Sequence, residues 1–93
     1  MKINHIEGNK KDNVILYTLS TCVWCKKTKK YLNELGIEYS YIDVDLLEAD
    51  EKEEVLKKIK KFVSANSFPI TIINDKECIV GFKPEKIKET LDL

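Results

Sequence analysis

The chain has 93 residues, 43% of them hydrophobic and 34% charged, with few glycines and prolines, which excludes a disordered or fibrous protein. At this size a domain removes only about 60–70% of its unfolded-chain surface from water, so one modest core must suffice. Sixteen basic residues balance sixteen acidic ones, which argues against nucleic-acid binding, where a basic excess over the whole domain is the rule.

Residues 1–13 read as a polar N-terminal extension ahead of a single domain over residues 14–93. The alternation of Ile3 and Ile6, closed by Gly8-Asn9-Lys10-Lys11-Asp12-Asn13, fits either an extra edge strand or a loose tail. Met1-Lys2-Ile3-Asn4-His5 has no apolar run of signal-peptide length. No stretch approaches the roughly 20 apolar residues of a membrane span. A cytoplasmic protein without membrane association is expected, monomeric by default.

Val14-Ile15-Leu16-Tyr17 is a β-rich run too short for a helix and reads as a buried strand. Ser20-Thr21 suits a helix start. From Cys22 onward, Cys25, Thr28, Leu32 and Leu35 recur at steps of three and four, which is one helical face, with Lys26, Lys27, Lys29 and Lys30 largely off it. Gly36 ends that helix. Tyr39 to Val44 predicts a second strand, and Glu48 to Val63 a second amphipathic helix. Its apolar side is Val55, Ile59 and Phe62, or Leu56, Ile59 and Val63. Acidic residues at its start (Glu48, Asp50, Glu51, Glu53, Glu54) and lysines near its end complement the helix dipole, and both charge runs read as solvated faces. Ile70 to Ile73 and Glu77 to Val80 predict a hairpin about the turn Asn74-Asp75-Lys76. Pro84 then suits a first helical position, with Ile87 and Leu91 marking a short last helix.

The order β-α-β-α-β-β-α follows. A right-handed crossover makes the first strand pair parallel and the tight turn makes the last pair antiparallel. The expectation is an α/β domain: a four-stranded mixed sheet flanked by three helices.

Three cysteines cannot all pair within one chain, and in a reducing cytosol a close pair is redox-active or metal-binding more often than structural. Cys22-Val23-Trp24-Cys25 sits between a buried strand and a helix start, where backbone N–H groups lack intrahelical partners and the macrodipole is positive. A thiolate at Cys22 would accept those hydrogen bonds, which lowers a thiol from about 8.5 toward about 3.5–7.5. Lys26 and Lys27 would add to the effect. Cys25, one turn on and opening the apolar stripe, should be the more buried thiol. Cys22 is thus the candidate attacking sulfur and Cys25 the resolving one. A zinc site would need four ligands, and only Cys78 and His5 remain to complete one.

At this point the chain resembles the glutaredoxin family. The matching features are the strand Val14–Tyr17 running into Ser20-Thr21-Cys22-Val23-Trp24-Cys25-Lys26-Lys27-Thr28, then Ser67-Phe68-Pro69, then Gly81-Phe82. The likeness spans residues 14–91. It implies a thioredoxin-like fold and a dithiol disulfide reductase with no bound cofactor. The partners implied are disulfide-bearing proteins, with reducing equivalents from glutathione or a thioredoxin-reductase-type enzyme. It also implies a cis bond before Pro69, with the Phe68 backbone free to pair with an extended substrate; the other reading of Pro69 is a strand-entry proline. Thr21 and Gly81 complete the implied site. The implied potential is about −200 to −270 mV.

Two departures stand out. Glutathione-using members carry a lysine three residues before the first cysteine, where this chain has Leu19. They also show a double glycine and an acidic pair before the last helix, where this chain has Gly81-Phe82-Lys83-Pro84. The stretch Val80–Glu85 is more similar to NrdH-redoxins, which take electrons from thioredoxin reductase. Single-cysteine glutaredoxins that carry iron–sulfur clusters lack a counterpart of Cys25. A module holding a metal or iron–sulfur cluster through the pair stands as the alternative. Trp24 is expected either as an exposed wall of the substrate groove or packed on the N-terminal extension. Cys78 is expected as a small buried strand residue or a regulatory thiol, and Tyr17, Phe62 and Phe82 as core, with Phe82 able to border the groove.

Overall fold

The computed structural model describes residues 2–64 and 67–93; Met1 of the N-terminal extension lies outside them. The elements are β1 (Asn4–Ile6), β2 (Val14–Thr18), α1 (Val23–Glu34), β3 (Tyr39–Asp43), a 3-10 turn (Val44–Leu46), α2 (Ala49–Lys60), β4 (Ile70–Ile73), β5 (Glu77–Val80) and α3 (Pro84–Thr90). Strand order across the sheet is β1-β3-β2-β4-β5. β2 and β3 run parallel, as the crossover through α1 demands, and β4 pairs antiparallel with both β2 and β5.

The expected four-stranded sheet is corrected to five. β1 pairs antiparallel with the outer edge of β3, Asn4 against Tyr41, His5 against Ser40 and Ile6 against Tyr39. Of the two readings of the extension, the edge strand is the one formed; the alternation alone could not decide it, but β3 offers an unpaired edge. His5 Nδ1 lies 3.1 Å from Ser40 Oγ. Beyond the strand, the Asn9 amide donates to Gly36 O at 2.9 Å and the Glu38 amide to Asn9 O at 3.0 Å. Gly8 permits this approach: a Cβ there would sit 2.7 Å from Gly36 O.

Alternation along the strands divides the core into two layers. Val14 and Leu16 of β2, Tyr39 of β3, Ile73 of β4 and Ile79 of β5 meet Leu32 of α1, Ile87 of α3 and Leu91 just after it on one face. Tyr17, Ile42, Ile70 and Ile72 meet Val55 and Ile59 of α2 on the other. β4 is buried throughout because it lies between helices on both faces. Its hairpin turns through Asn74 and Asp75, both at φ 54°, residue types that tolerate the left-handed region.

Two element ends fall short of expectation. α2 ends at Lys60 rather than reaching Val63, although Phe62 and Val63 still donate to Ile59 O at 2.9 and 3.1 Å in a closing turn. β3 ends at Asp43, and Val44 opens the 3-10 turn, its side chain still buried beneath α2.

Candidate active site

β2 delivers the chain to the C-terminal edge of the sheet, and α1 starts there. Leu19 O accepts from the Cys22 amide at 3.1 Å, which turns the backbone into the helix. Cys22 is the N-cap, with extended φ −82° and ψ 121°, and its carbonyl accepts from the Lys26 amide at 3.1 Å. Its sulfur does what an N-cap oxygen does elsewhere: Sγ accepts the Cys25 N–H at 3.2 Å. No acidic residue occupies the first turn of α1.

Cys22 is half-buried, Cys25 is fully buried, and both are free thiols. Burial, first, and the hydrogen bond with Cys22 push the Cys25 thiol up to about 12; a backbone hydrogen bond from Leu19 and the charge of Lys29 oppose that rise. Cys25 is thus the more buried of the two sulfurs. Lys26 and Lys27 are exposed, and Lys27 places its ammonium 4.6 Å above the Trp24 ring.

The loop before Cys22 is tied to the segment that leaves β3. Thr18 donates its hydroxyl to Ile42 O and to Asp43 Oδ1, and Ser20 donates both its amide and its hydroxyl to the Asp45 carboxylate. Those two Ser20 bonds hold Asp45 below the usual carboxylate range. Neither aspartate carries a sequence signal, because their pairing depends on the parallel register that sets Thr18 beside Asp43.

Ahead of β4, the Phe68–Pro69 peptide is cis. Pro69 is buried, and its carbonyl accepts the Gly81 amide at 2.8 Å. Gly81 sits at φ 87°, a conformation that L side chains rarely adopt. Trp24, Phe68, Gly81 and Phe82 line an open cleft of about 270 Å³. Trp24 is 54% exposed and stacks on Phe82 with centroids 6.1 Å apart, while Tyr31 meets the same Phe82 ring edge-on at 6.1 Å. Trp24 thus lies exposed on the cleft wall, with Phe82 as its stacking partner. Thr21 is exposed in the loop and lies outside the cleft lining.

Cys78 is half-buried rather than buried, against the α2-side core, and burial raises its thiol. Among the described residues, no group of three or more His, Cys, Asp and Glu side chains is placed to hold a metal ion. No helix among them is long and apolar enough to cross a membrane.

The glutaredoxin family model matches residues 14–78. The glutaredoxin from Methanosarcina mazei Go1 superposes with a TM-score of 0.93 at 49% identity, covering all of this chain and 90% of its own. Methanoredoxin from Methanosarcina acetivorans gives 0.88 at 49% identity, covering 92% of this chain and 90% of its own. NrdH-redoxin from Escherichia coli, a glutaredoxin-like protein with a thioredoxin-like activity profile, gives 0.65 at 26% identity, covering 83% and 92%. A redox protein on a thioredoxin-like fold, the chain belongs to the glutaredoxin family.

Proposed function

We propose that the chain reduces protein or small-molecule disulfides through a dithiol–disulfide cycle of Cys22 and Cys25. The observation that carries this reading is the Cys25 N–H aimed at Cys22 Sγ from a first helical turn that holds no acidic residue. A donor in that place is used most fully by a sulfur bearing negative charge.

In the cycle the Cys22 thiolate attacks one sulfur of a substrate disulfide, forming a mixed disulfide and releasing the first substrate thiolate. Cys25 then loses its proton and attacks Cys22. The bond to substrate breaks, the Cys22–Cys25 disulfide forms, and the second substrate thiol leaves. Two electrons have passed from the cysteine pair to the substrate. The cleft of Trp24, Phe68, Gly81 and Phe82 borders the substrate chain, the Phe68 backbone pairs with it beside Pro69, and Thr21 flanks the attacking sulfur.

The donor that closes the cycle is glutathione or a thioredoxin-reductase-type enzyme. Leu19 favours the reductase, since it packs on the α2-side core and offers no charge to a glutathione carboxylate. The alternative of a metal or cluster carrier has no ligand group to support it among the described residues.

Insulin reduction by dithiothreitol, read as turbidity, tests the reading. The wild type accelerates it and Cys22→Ser falls to background; an active Cys22→Ser protein overturns the mechanism. Supplying glutathione with its reductase, or thioredoxin reductase with NADPH, then identifies the donor. Efficient turnover with glutathione alone refutes the weight given to Leu19.

A further inference from the structure

Four lysines crowd α1, and they do not share one environment. Lys26, Lys27 and Lys30 are exposed, whereas the Lys29 side chain is only 21% exposed. Its ammonium lies 3.2 Å from Asp43 Oδ1 and 4.0 Å above the Tyr41 ring centroid. Asp43 is itself 16% exposed and held by the Thr18 hydroxyl. A lysine on a helix surface spreads its charge over many rotamers and is screened by water. Lys29 is held in one place against β3, where solvent screens it less.

Lys29 follows Cys25 by four residues, which puts both on one strip of α1. The ionisable groups around the buried thiol are Cys22 at the helix start, Lys29 one turn on and, through Lys29, Asp43 and Tyr41 from β3. We propose that Lys29 is a positioning residue for the resolving step: its ammonium, pinned by Asp43 and the Tyr41 ring, favours the Cys25 thiolate as that sulfur attacks the mixed disulfide. The lowering influence of Lys29 on this thiol agrees with that role.

The inference rests on the dithiol cycle proposed above. In the step concerned, the Cys25 S–H proton passes to solvent and the Cys25 sulfur bonds to Cys22 Sγ. The Cys22–substrate bond breaks, and the departing substrate thiolate takes up a proton from solvent. The ammonium neither gains nor loses a proton.

The experiment uses an aromatic disulfide reagent that releases a coloured thiolate, in a Cys78→Ala background so that only the pair reacts. A first release reports attack by Cys22, and a second reports closure by Cys25. Removing the charge with Lys29→Met lowers the thiolate fraction about tenfold for each unit by which the thiol pKa rises. Because nucleophilicity rises with basicity at a slope of about 0.4–0.5, the net result is closure slowed about three- to fourfold at neutral pH for each such unit.

The first release stays unchanged, and Lys29→Arg restores the second. Lys29→Gln, which retains a polar side chain, gives the same loss should the methionine variant melt early. Unchanged closure in Lys29→Met and Lys29→Gln overturns the inference and leaves the cycle intact, as does equal slowing in Lys29→Arg, which assigns the pair to structure. A wild type with no release dependent on Cys22 refutes the cycle itself.

Discussion

α1 and α2 are alike in most respects, each a 12-residue amphipathic helix following a strand. They differ at their first turns. α2 begins at Glu48, makes no side-chain cap, and carries Asp50 and Glu51, so its own carboxylates answer the positive end of the dipole. α1 begins at Cys22, has no carboxylate in its first turn, and turns an N–H toward sulfur. One helix end serves stability, while the other is left with an electrostatic deficit that a thiolate can fill. The proposed function rests on what a helix start omits. Groove size does not mark it, for a groove of about 520 Å³ lies under α2, where Ile15, Tyr17, Ile42 and Val55 are lined up beside lysines but no cysteine.

The largest effect tests the shared part of the comparison. Leu32→Ala in α1 and Ile59→Ala in α2 each remove a side chain at most 2% exposed, so both should lower unfolding free energy by about 2–5 kcal/mol in urea titrations. A clear inequality would show that the two helices are not equivalent scaffolds. The next change makes α1 resemble α2. Val23 is 62% exposed, and Val23→Glu should add about 0.3–1 kcal/mol of stability by complementing the dipole. By competing for the same positive end, it should slow Cys22 alkylation by iodoacetamide up to about fivefold. Faster alkylation would contradict the assigned role of the helix start.

The converse change is smaller in consequence. Asp50→Asn should cost about 0.3–1 kcal/mol of stability at low salt and leave insulin reduction unaltered. The smallest effect is a pH dependence at the anchor of the cysteine loop. The Ser20 bonds depress the Asp45 carboxyl below its ordinary 3.8, so their contribution is fully present above that value and fades as pH falls through the lower folded-state value. Acid melts of the wild type should therefore show a stability loss below about pH 4 that Asp45→Asn reduces; identical acid limbs would remove Asp45 from the loop's support.

Much of this arrangement is written locally. The β-rich run at Val14, the step-three and step-four spacing from Cys22, the Asn74-Asp75 turn and Pro84 all act within a few residues, and each element stands where they put it. What depends on distant pairing is not legible. β1 needs the unpaired edge of β3, and the Ser20–Asp45 and Lys29–Asp43 contacts need the register of two strands separated by a helix. Trp24 announces an aromatic beside the cysteines, but its partner Phe82 arrives only once the hairpin has folded back.

That stack has a practical consequence. The chain contains a single tryptophan, and it lies between the two sulfurs in sequence and against Phe82 in space. Light absorbed selectively by an indole therefore interrogates one spot in the molecule. If the proposed Cys22–Cys25 disulfide forms, the emission of the unlabelled protein should differ between its reduced and oxidised forms, which a fluorescence titration with dithiothreitol would read.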